Sequence, residues 1–127
     1  MRTFNTEEAN LLLPQIIPLL ENLRIYTREL RMMRVQESAS KRLLSADGNM
    51  ITTPINKMSI SVQTEKITNC IESIEKHGIF VKDPERGLID FYHYRNSELV
   101  FLCYLLGEED VKYWHALDTG FHGRNLV

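Results

Sequence analysis

Residues 88–105 read LIDFYHYRNSELVFLCYL, and this stretch decides the fold of the C-terminal half. Two runs rich in aromatic and aliphatic residues, Leu88–Tyr94 and Leu99–Leu105, flank the polar pair Asn96–Ser97. Strand-length apolar runs on either side of a short polar turn are typical of an antiparallel β-hairpin. The sequence therefore predicts two adjacent strands joined around Asn96–Ser97.

The register of this hairpin follows from its turn. If Arg95 faces Glu98, counting back along both strands places Asp90 opposite Cys103. Successive side chains of a strand alternate between the two faces of a sheet. One face then carries Leu88, Asp90, Phe101 and Cys103, and the other carries Ile89, Phe91, Val100 and Leu102. Both faces are largely apolar, so we expect both to be covered by other parts of the chain.

Two shorter segments extend the hairpin into a small antiparallel meander. Ile79–Lys82 precedes a DPERG turn at residues 83–87 and is predicted to be a strand. After β-rich residues 88–105, Val111–His115 is either a further strand or the start of a short helix. The β-propensity of its valine, tyrosine and tryptophan favours the strand.

The N-terminal half is predicted to be a long helix. Thr6 can cap it, and Glu7 and Glu8 suit the positive end of the helix dipole. Its apolar residues recur at alternating steps of four and three, as in a coiled-coil seam: Leu12, Ile16, Leu19, Leu23, Tyr26, Leu30 and Met33. We expect the helix to reach about Leu44, with a kink or irregular first turns at Pro14 and Pro18.

A second helix follows. Residues 47–49 (DGN) form a turn signal, and Thr53–Pro54 is a typical helix start. A matching seam runs through Ile60, Thr64, Ile67, Ile71 and Ile74, and His77–Gly78 ends the helix. The prediction is an α+β fold in a single domain, 1–127. A long antiparallel, coiled-coil-like helical hairpin occupies 1–78, and a β-rich half occupies 79–127.

Size and composition exclude several classes of protein. The 127 residues suffice for one domain, and no stretch has the roughly 18–20 apolar residues of a membrane-spanning helix. The N-terminus (MRTF) does not resemble a signal peptide, and two cysteines make no disulfide framework. We therefore expect a cytoplasmic protein with no membrane partner.

The long helix bears on function. At 1.5 Å per residue it would span roughly 55–60 Å, and the small C-terminal half cannot cover that length. The first functional hypothesis is therefore a non-enzymatic module that self-associates, most simply as a homodimer. Nucleic-acid binding is the third hypothesis, through Arg24, Arg28, Arg31 and Arg34. The net charge of −2 favours a solvated basic face instead.

The second hypothesis is a small-molecule or metal site. Residues 114–124 (WHALDTGFHGR) hold two histidines, a carboxylate and an arginine. His115, Asp118 and His122 are types of residue that bind metals, but their spacing matches no established metal motif, so no metal is predicted. Arg124 beside Gly120 and Gly123 can bind a small anion, although the glycines are more simply turn residues. No reaction or cofactor follows from these residues, and whether the protein is an enzyme stays open.

Asp90 lies within an apolar run and needs a partner if it is buried. The candidate ligand site therefore comprises Asp90, His115, Asp118 and Arg124, with an ion pair as the simpler explanation. Cys103 would be a nucleophile if His115 lay beside it, but a small buried side chain is the preferred interpretation.

The C-terminal motif is also predicted to have a structural role. We expect Trp114, His115, Phe121 and Arg124 to form one packed cluster against the sheet, since two large aromatic residues favour burial. Arg124 would then lie near Asp90 or Asp118.

Several motifs together resemble a bacterial family, domain of unknown function 2203. The N-terminal motif is FNTEEAN at 4–10 with LLP at 12–14. The motifs of the β-rich half are GI at 78–79, KD at 82–83, GLIDF at 87–91, LCY at 102–104 and LGE at 106–108. The C-terminal motif consists of WH at 114–115, Asp118, GF at 120–121 and GR at 123–124. The resemblance spans nearly the whole chain apart from residues 36–60. Tyr104 stands where tryptophan is expected, and His122 where a small residue is usual. The resemblance implies a fold and a shared C-terminal motif but no reaction.

Overall fold

The computed structural model describes residues 1–47 and 57–127, with side chains described over 1–39 and 57–127. Two helices, α1 (Thr6–Asp47) and α2 (Lys57–Glu75), precede a five-stranded antiparallel sheet. Its strands are β1 (Ile79–Asp83), β2 (Leu88–Arg95), β3 (Glu98–Leu105), β4 (Tyr113–His115) and β5 (Asn125–Leu126), in sequential order. The predicted α+β fold with a helical hairpin and a β-meander is confirmed. The predicted turn at 48–49 and helix start at Thr53–Pro54 lie outside the described residues.

The start of α1 differs from the prediction in its cap. The amide of Glu8 donates to Asn5 Oδ1 at 2.7 Å, and the amide of Asn5 donates to Glu8 Oε1 at 2.9 Å. This reciprocal pair is a capping box, so Asn5 and not Thr6 caps the helix. The chain is helical from Thr6 onward through Pro14 and Pro18, so of the two predicted alternatives the irregular first turns are wrong and the kink stays a prediction. Both prolines are on the exposed side of α1, away from the buried residues that hold it on the sheet.

The core lies between the helices and one face of the sheet. It contains Ile16, Leu20 and Leu23 of α1, Ile74 of α2, and Ile89, Phe91, Leu102 and Tyr104 of the sheet. Side chains of α2 also bond to the backbone of α1. Gln63 Nε2 donates to the carbonyl of Tyr26 at 3.0 Å, and the Cys70 thiol donates to the carbonyl of Leu19 at 3.2 Å. No helix in the described ranges has both the length and the apolar character required to cross a bilayer.

The central hairpin has the predicted register. Arg95 pairs with Glu98, and Asp90 pairs with Cys103. Asn96 and Ser97 have φ values of 50° and 66°, the positive pair that a tight hairpin turn with matching twist requires. Residues 89 and 91 of β2 and 102 and 104 of β3 face the helices, so residues 90 and 103 are on the opposite face, called the outer face below.

Strand β4 is shorter than the sequence predicted, and a further strand follows it. β4 contains only Tyr113–His115, because Val111 is bonded to α1 instead. The Val111 amide donates to Asn10 Oδ1 at 2.7 Å, and Asn10 Nδ2 donates to the Val111 carbonyl at 3.2 Å. The strand alternative for this segment is therefore correct, beginning two residues later. β5 adds a short fifth strand that the sequence analysis did not predict.

Candidate metal centre

Three potential metal ligands meet on the outer face of the sheet. Asp90, Cys103 and His115 project from β2, β3 and β4, three strands that are direct neighbours. Cys103 is paired with Asp90, whereas His115 is opposite Phe101, two residues along β3, so its imidazole reaches diagonally toward Asp90. The ligand atoms of the three side chains all lie within 4.8 Å of one another. Exposed fractions of 2%, 0% and 2% show that the group is shielded from solvent.

The hydrogen bonds of His115 define its tautomer. Nδ1 lies 2.8 Å from the carbonyl oxygen of Ala116, which can only accept, so Nδ1 carries a hydrogen. Nε2 lies 3.1 Å from Asp90 Oδ2. A neutral imidazole with its hydrogen on Nδ1 presents a lone pair at Nε2, and a carboxylate oxygen also presents a lone pair. This contact therefore requires one proton shared between the two groups, or a cation in its place.

The second oxygen of Asp90 is unsatisfied. Asp90 Oδ1 is buried and has no hydrogen-bond partner within the described residues. Nearly all buried polar atoms in folded proteins have a partner, because an unpaired one loses its hydration without compensation. Oδ1 is therefore an available acceptor inside a closed group of nitrogen, oxygen and sulfur atoms.

Cys103 is a neutral thiol in this environment. Burial, together with the negative charge of Asp90, raises its pKa to about 12, and Arg124 partly opposes this shift. A nucleophilic cysteine requires a lowered pKa. The structure thus brings Cys103 and His115 together, as the nucleophile hypothesis required, but in surroundings that disfavour the thiolate unless a metal ion is bound.

Arg124 closes the outer face beside this group. Its guanidinium donates to Glu108 Oε1 at 2.9 Å and lies over the rings of Tyr113 and Phe121, at 4.2 and 4.0 Å from their centroids. Arg124 therefore lies beside Cys103, the neighbour of Asp90, but its ion pair is with Glu108 and not with Asp90 or Asp118. Glu108 is a better partner because its Oε1 is already held by the amide of Leu105 at 2.7 Å.

The predicted C-terminal cluster is divided between the two faces of the sheet. Trp114 packs against the helix-facing core, whereas His115 is on the outer face, because neighbouring residues in a strand point in opposite directions. The prediction of one cluster containing both residues is wrong.

The residues of the predicted ligand and metal sites are only partly brought together in the structure. Asp90 and His115 are in direct contact, and Arg124 is close enough to Cys103 to affect its pKa. Asp118 and His122 are exposed, and neither belongs to a group of three ligand atoms in the described chain. Cys103 was not among the predicted site residues. The predicted register already placed Cys103 beside Asp90 on one face of the sheet, and this register could have identified Cys103 as a site residue.

The basic residues of α1 lie near acidic residues of the β1–β2 turn. Arg31 forms an ion pair with Glu85. Arg24 and Arg28 line a cleft of about 460 Å³ together with Asp83 and Glu85. Part of the positive charge is therefore neutralised within the chain, and nucleic-acid binding stays an untested prediction.

The fold and the site define a class of α+β protein. A two-helix hairpin packs on one face of an antiparallel meander, and a buried group of nitrogen, oxygen and sulfur ligands lies on the other. The chain belongs to the DUF2203 family of uncharacterised conserved proteins, whose family model matches residues 2–127. Searches of curated proteins and of solved structures found no match.

Proposed function

We propose that this protein binds a transition-metal ion, most simply Zn²⁺, through Asp90, Cys103 and His115. The observation that carries the proposal is the convergence of three buried ligand atoms, within 4.8 Å of one another, from three neighbouring strands. A mixed nitrogen, oxygen and sulfur set suits Zn²⁺ better than the hard cations Mg²⁺ or Ca²⁺. A reducing compartment keeps such a thiol available, so we place this function in the bacterial cytoplasm.

The dimensions of the group support this assignment. Bonds of roughly 2.0–2.3 Å in a tetrahedral zinc site separate the ligand atoms by about 3.3–3.8 Å. Nε2 and Oδ2 are 3.1 Å apart, and no pair of the three ligand atoms exceeds 4.8 Å. Adjustments of about an ångström in side-chain position would accommodate the ion.

Charge and hydrogen bonding point in the same direction. One thiolate and one carboxylate balance a divalent cation, so the loaded site would be neutral, as a buried site requires. The ion would also occupy the position of the proton shared by His115 and Asp90. The carbonyl of Ala116 already holds the Nδ1 hydrogen, which is the outer contact that commonly orients a metal-bound histidine.

Three protein ligands leave a fourth coordination position. In zinc proteins a set of three ligands with a water or substrate is typical of catalytic sites, and four protein ligands are typical of structural ones. A neutral molecule such as water fits this position, since Cys103 and Asp90 already balance the charge of the ion and Arg124 is paired with Glu108.

The test is metal binding by untagged protein. We expect one Zn²⁺ per chain by elemental analysis after dialysis, and a higher melting temperature than that of chelator-treated protein. Cys103→Ser, Asp90→Asn and His115→Gln should each weaken binding by at least tenfold. Asp118→Asn and His122→Gln are matched controls with the same chemical changes at exposed positions and should bind as wild type. Equal binding by all five variants would overturn the proposal, as would absence of binding by wild type.

A further inference from the structure

The outward face of α1 carries an exposed apolar row. Leu11, Pro18, Ile25 and Met32 follow one another at intervals of seven residues, and Val35 comes three residues later. We call these five residues the outer stripe. The exposed fractions of Leu11, Ile25, Met32 and Val35 are 79%, 53%, 54% and 55%. Residues seven apart are nearly aligned along a helix, so the first four side chains form one continuous strip, and Val35 adjoins Met32 at its end.

The outer stripe from Leu11 to Met32 is on the side of α1 away from the core, and Val35 lies at its edge, beside the cleft that contains Arg31 and Glu85. The buried residues Leu13, Ile16 and Leu20 face the sheet and α2, about half a helical turn away from Leu11 and Pro18. From Leu11 to Val35 the strip is about 36 Å long. Apolar residues at heptad spacing along such a length are the contact surface that two helices use to pair.

The charge of α1 is divided along its length. The segment 6–23 contains Glu7, Glu8 and Glu21 and no lysine or arginine. The segment 24–39 contains Arg24, Arg28, Arg31 and Arg34 against Glu29 and Glu37, and Arg31 is paired with Glu85 of its own chain. One half of the helix is therefore acidic and the other is basic, on the same element that carries the outer stripe.

We infer that the outer stripe binds the outer stripe of a second copy of this chain, with the two α1 helices antiparallel. This orientation places the acidic half of each helix against the basic half of the other, whereas a parallel pair would bring like charges together. With Leu11 of one copy level with Val35 of the other, the two-fold axis crosses α1 at residue 23. Glu21 of each copy then lies beside Arg24 and Arg28 of the other.

This arrangement closes on itself. Each copy uses the same surface, so pairing stops at a dimer and leaves no free stripe for further chains. It also gives the first hypothesis from the sequence a defined surface and orientation. The proposed dimer surface is separate from the proposed metal site, since Asp90, Cys103 and His115 are all on the sheet and not on α1.

Light scattering after size exclusion tests the surface. At 100 µM the wild-type chain of 14.8 kDa should elute with the mass of a dimer. Ile25→Asp with Met32→Asp should give a monomer with unchanged helical circular dichroism. Leu117→Asp is the control, because it introduces an aspartate at an exposed apolar residue away from α1, and it should remain a dimer. A monomeric wild type, or a dimer that survives the double substitution, would overturn the inference.

Spin-label distances test the orientation. Two single-label variants are needed, Asn22→Cys and Gln36→Cys, each in a Cys70→Ser background. Position 22 flanks the centre of the outer stripe, and position 36 flanks its end. In the antiparallel dimer we expect about 10–20 Å between the labels at position 22 and about 40 Å between those at position 36, from the rise per residue and the spacing of packed helices. Short distances at both positions would indicate a parallel dimer and would contradict the inference.

Discussion

His115 Nε2 lies 3.1 Å from Asp90 Oδ2, and the two side chains are buried together on the outer face of the sheet. Because Nδ1 of the same imidazole is bonded to a carbonyl, this contact depends on one shared proton or on a cation. The adjacent Cys103 thiol and the unsatisfied Asp90 Oδ1 extend the pair into a potential metal site.

Substitutions of the Asp90–His115 pair should differ strongly in chelator-treated protein. Asp90→Asn keeps the shape and supplies an N–H donor to Nε2, so we expect a loss of no more than about 1–2 kcal/mol in the free energy of unfolding. His115→Ala leaves Asp90 buried without a partner and creates a cavity, so we expect about 3–5 kcal/mol. Urea denaturation measures both values. Equal losses for the two variants would show that the pair has no such role.

Cys103 should make the metal-free protein less stable at high pH. Its ordinary pKa is 9.0, whereas in the folded state burial raises the pKa to about 12. Between these values the unfolded chain has lost the thiol proton and the folded chain retains it. The free energy of unfolding therefore falls as pH rises, by up to about 1.4 kcal/mol per pH unit. Denaturation curves between pH 8 and 10.5 should show a steeper decline for wild type than for Cys103→Ala. Parallel declines would contradict the raised pKa.

The C-terminal segment should be required for stability. Residues 119–127 include Phe121, Arg124 and strand β5, which pairs with β4. Their removal would leave Glu108 without its arginine and expose the outer face around Cys103, so we expect a loss of several kcal/mol. Arg124→Ala alone should cost about 1–3 kcal/mol, because it leaves the half-buried Glu108 carboxylate without its cation. Thermal unfolding measures both, and a truncated chain that melts with wild type would contradict this account.

The cap of α1 provides a direct comparison of sequence and structure. Asn5→Ala should destabilise the protein by about 0.5–2 kcal/mol, since it removes the acceptor of the Glu8 amide. Thr6→Ala, the residue that the sequence favoured as the cap, should change stability by less than about 0.5 kcal/mol. Chemical denaturation of the two variants decides between the caps, and the reverse order would favour Thr6.

The predictable features were those set by local periodicity. The register of β2 and β3 followed from the two-residue alternation of a strand and the polar turn between them, and it placed Asp90 beside Cys103. The two helices followed from their four-and-three spacing and from the end at Gly78, where φ is 86°.

The remaining features depend on contacts between distant parts of the chain. Val111 is bonded to Asn10, which is 101 residues away, and this contact delays the start of β4. Arg124 pairs with Glu108, whose carboxylate is positioned by a backbone amide at the end of β3. The meeting of His115 and Asp90 requires β4 to lie next to β3 and the imidazole to reach diagonally across β3. No local pattern encodes these three relationships.

The most direct test of the central claim is zinc K-edge X-ray absorption of the protein loaded with one Zn²⁺. We predict one sulfur neighbour at about 2.3 Å, from Cys103, and two or three nitrogen or oxygen neighbours at about 2.0–2.2 Å, from His115, Asp90 and the fourth ligand. The sulfur neighbour should disappear in Cys103→Ser and persist in Cys70→Ser. A zinc ion surrounded only by nitrogen and oxygen in the wild-type protein would contradict the proposed site.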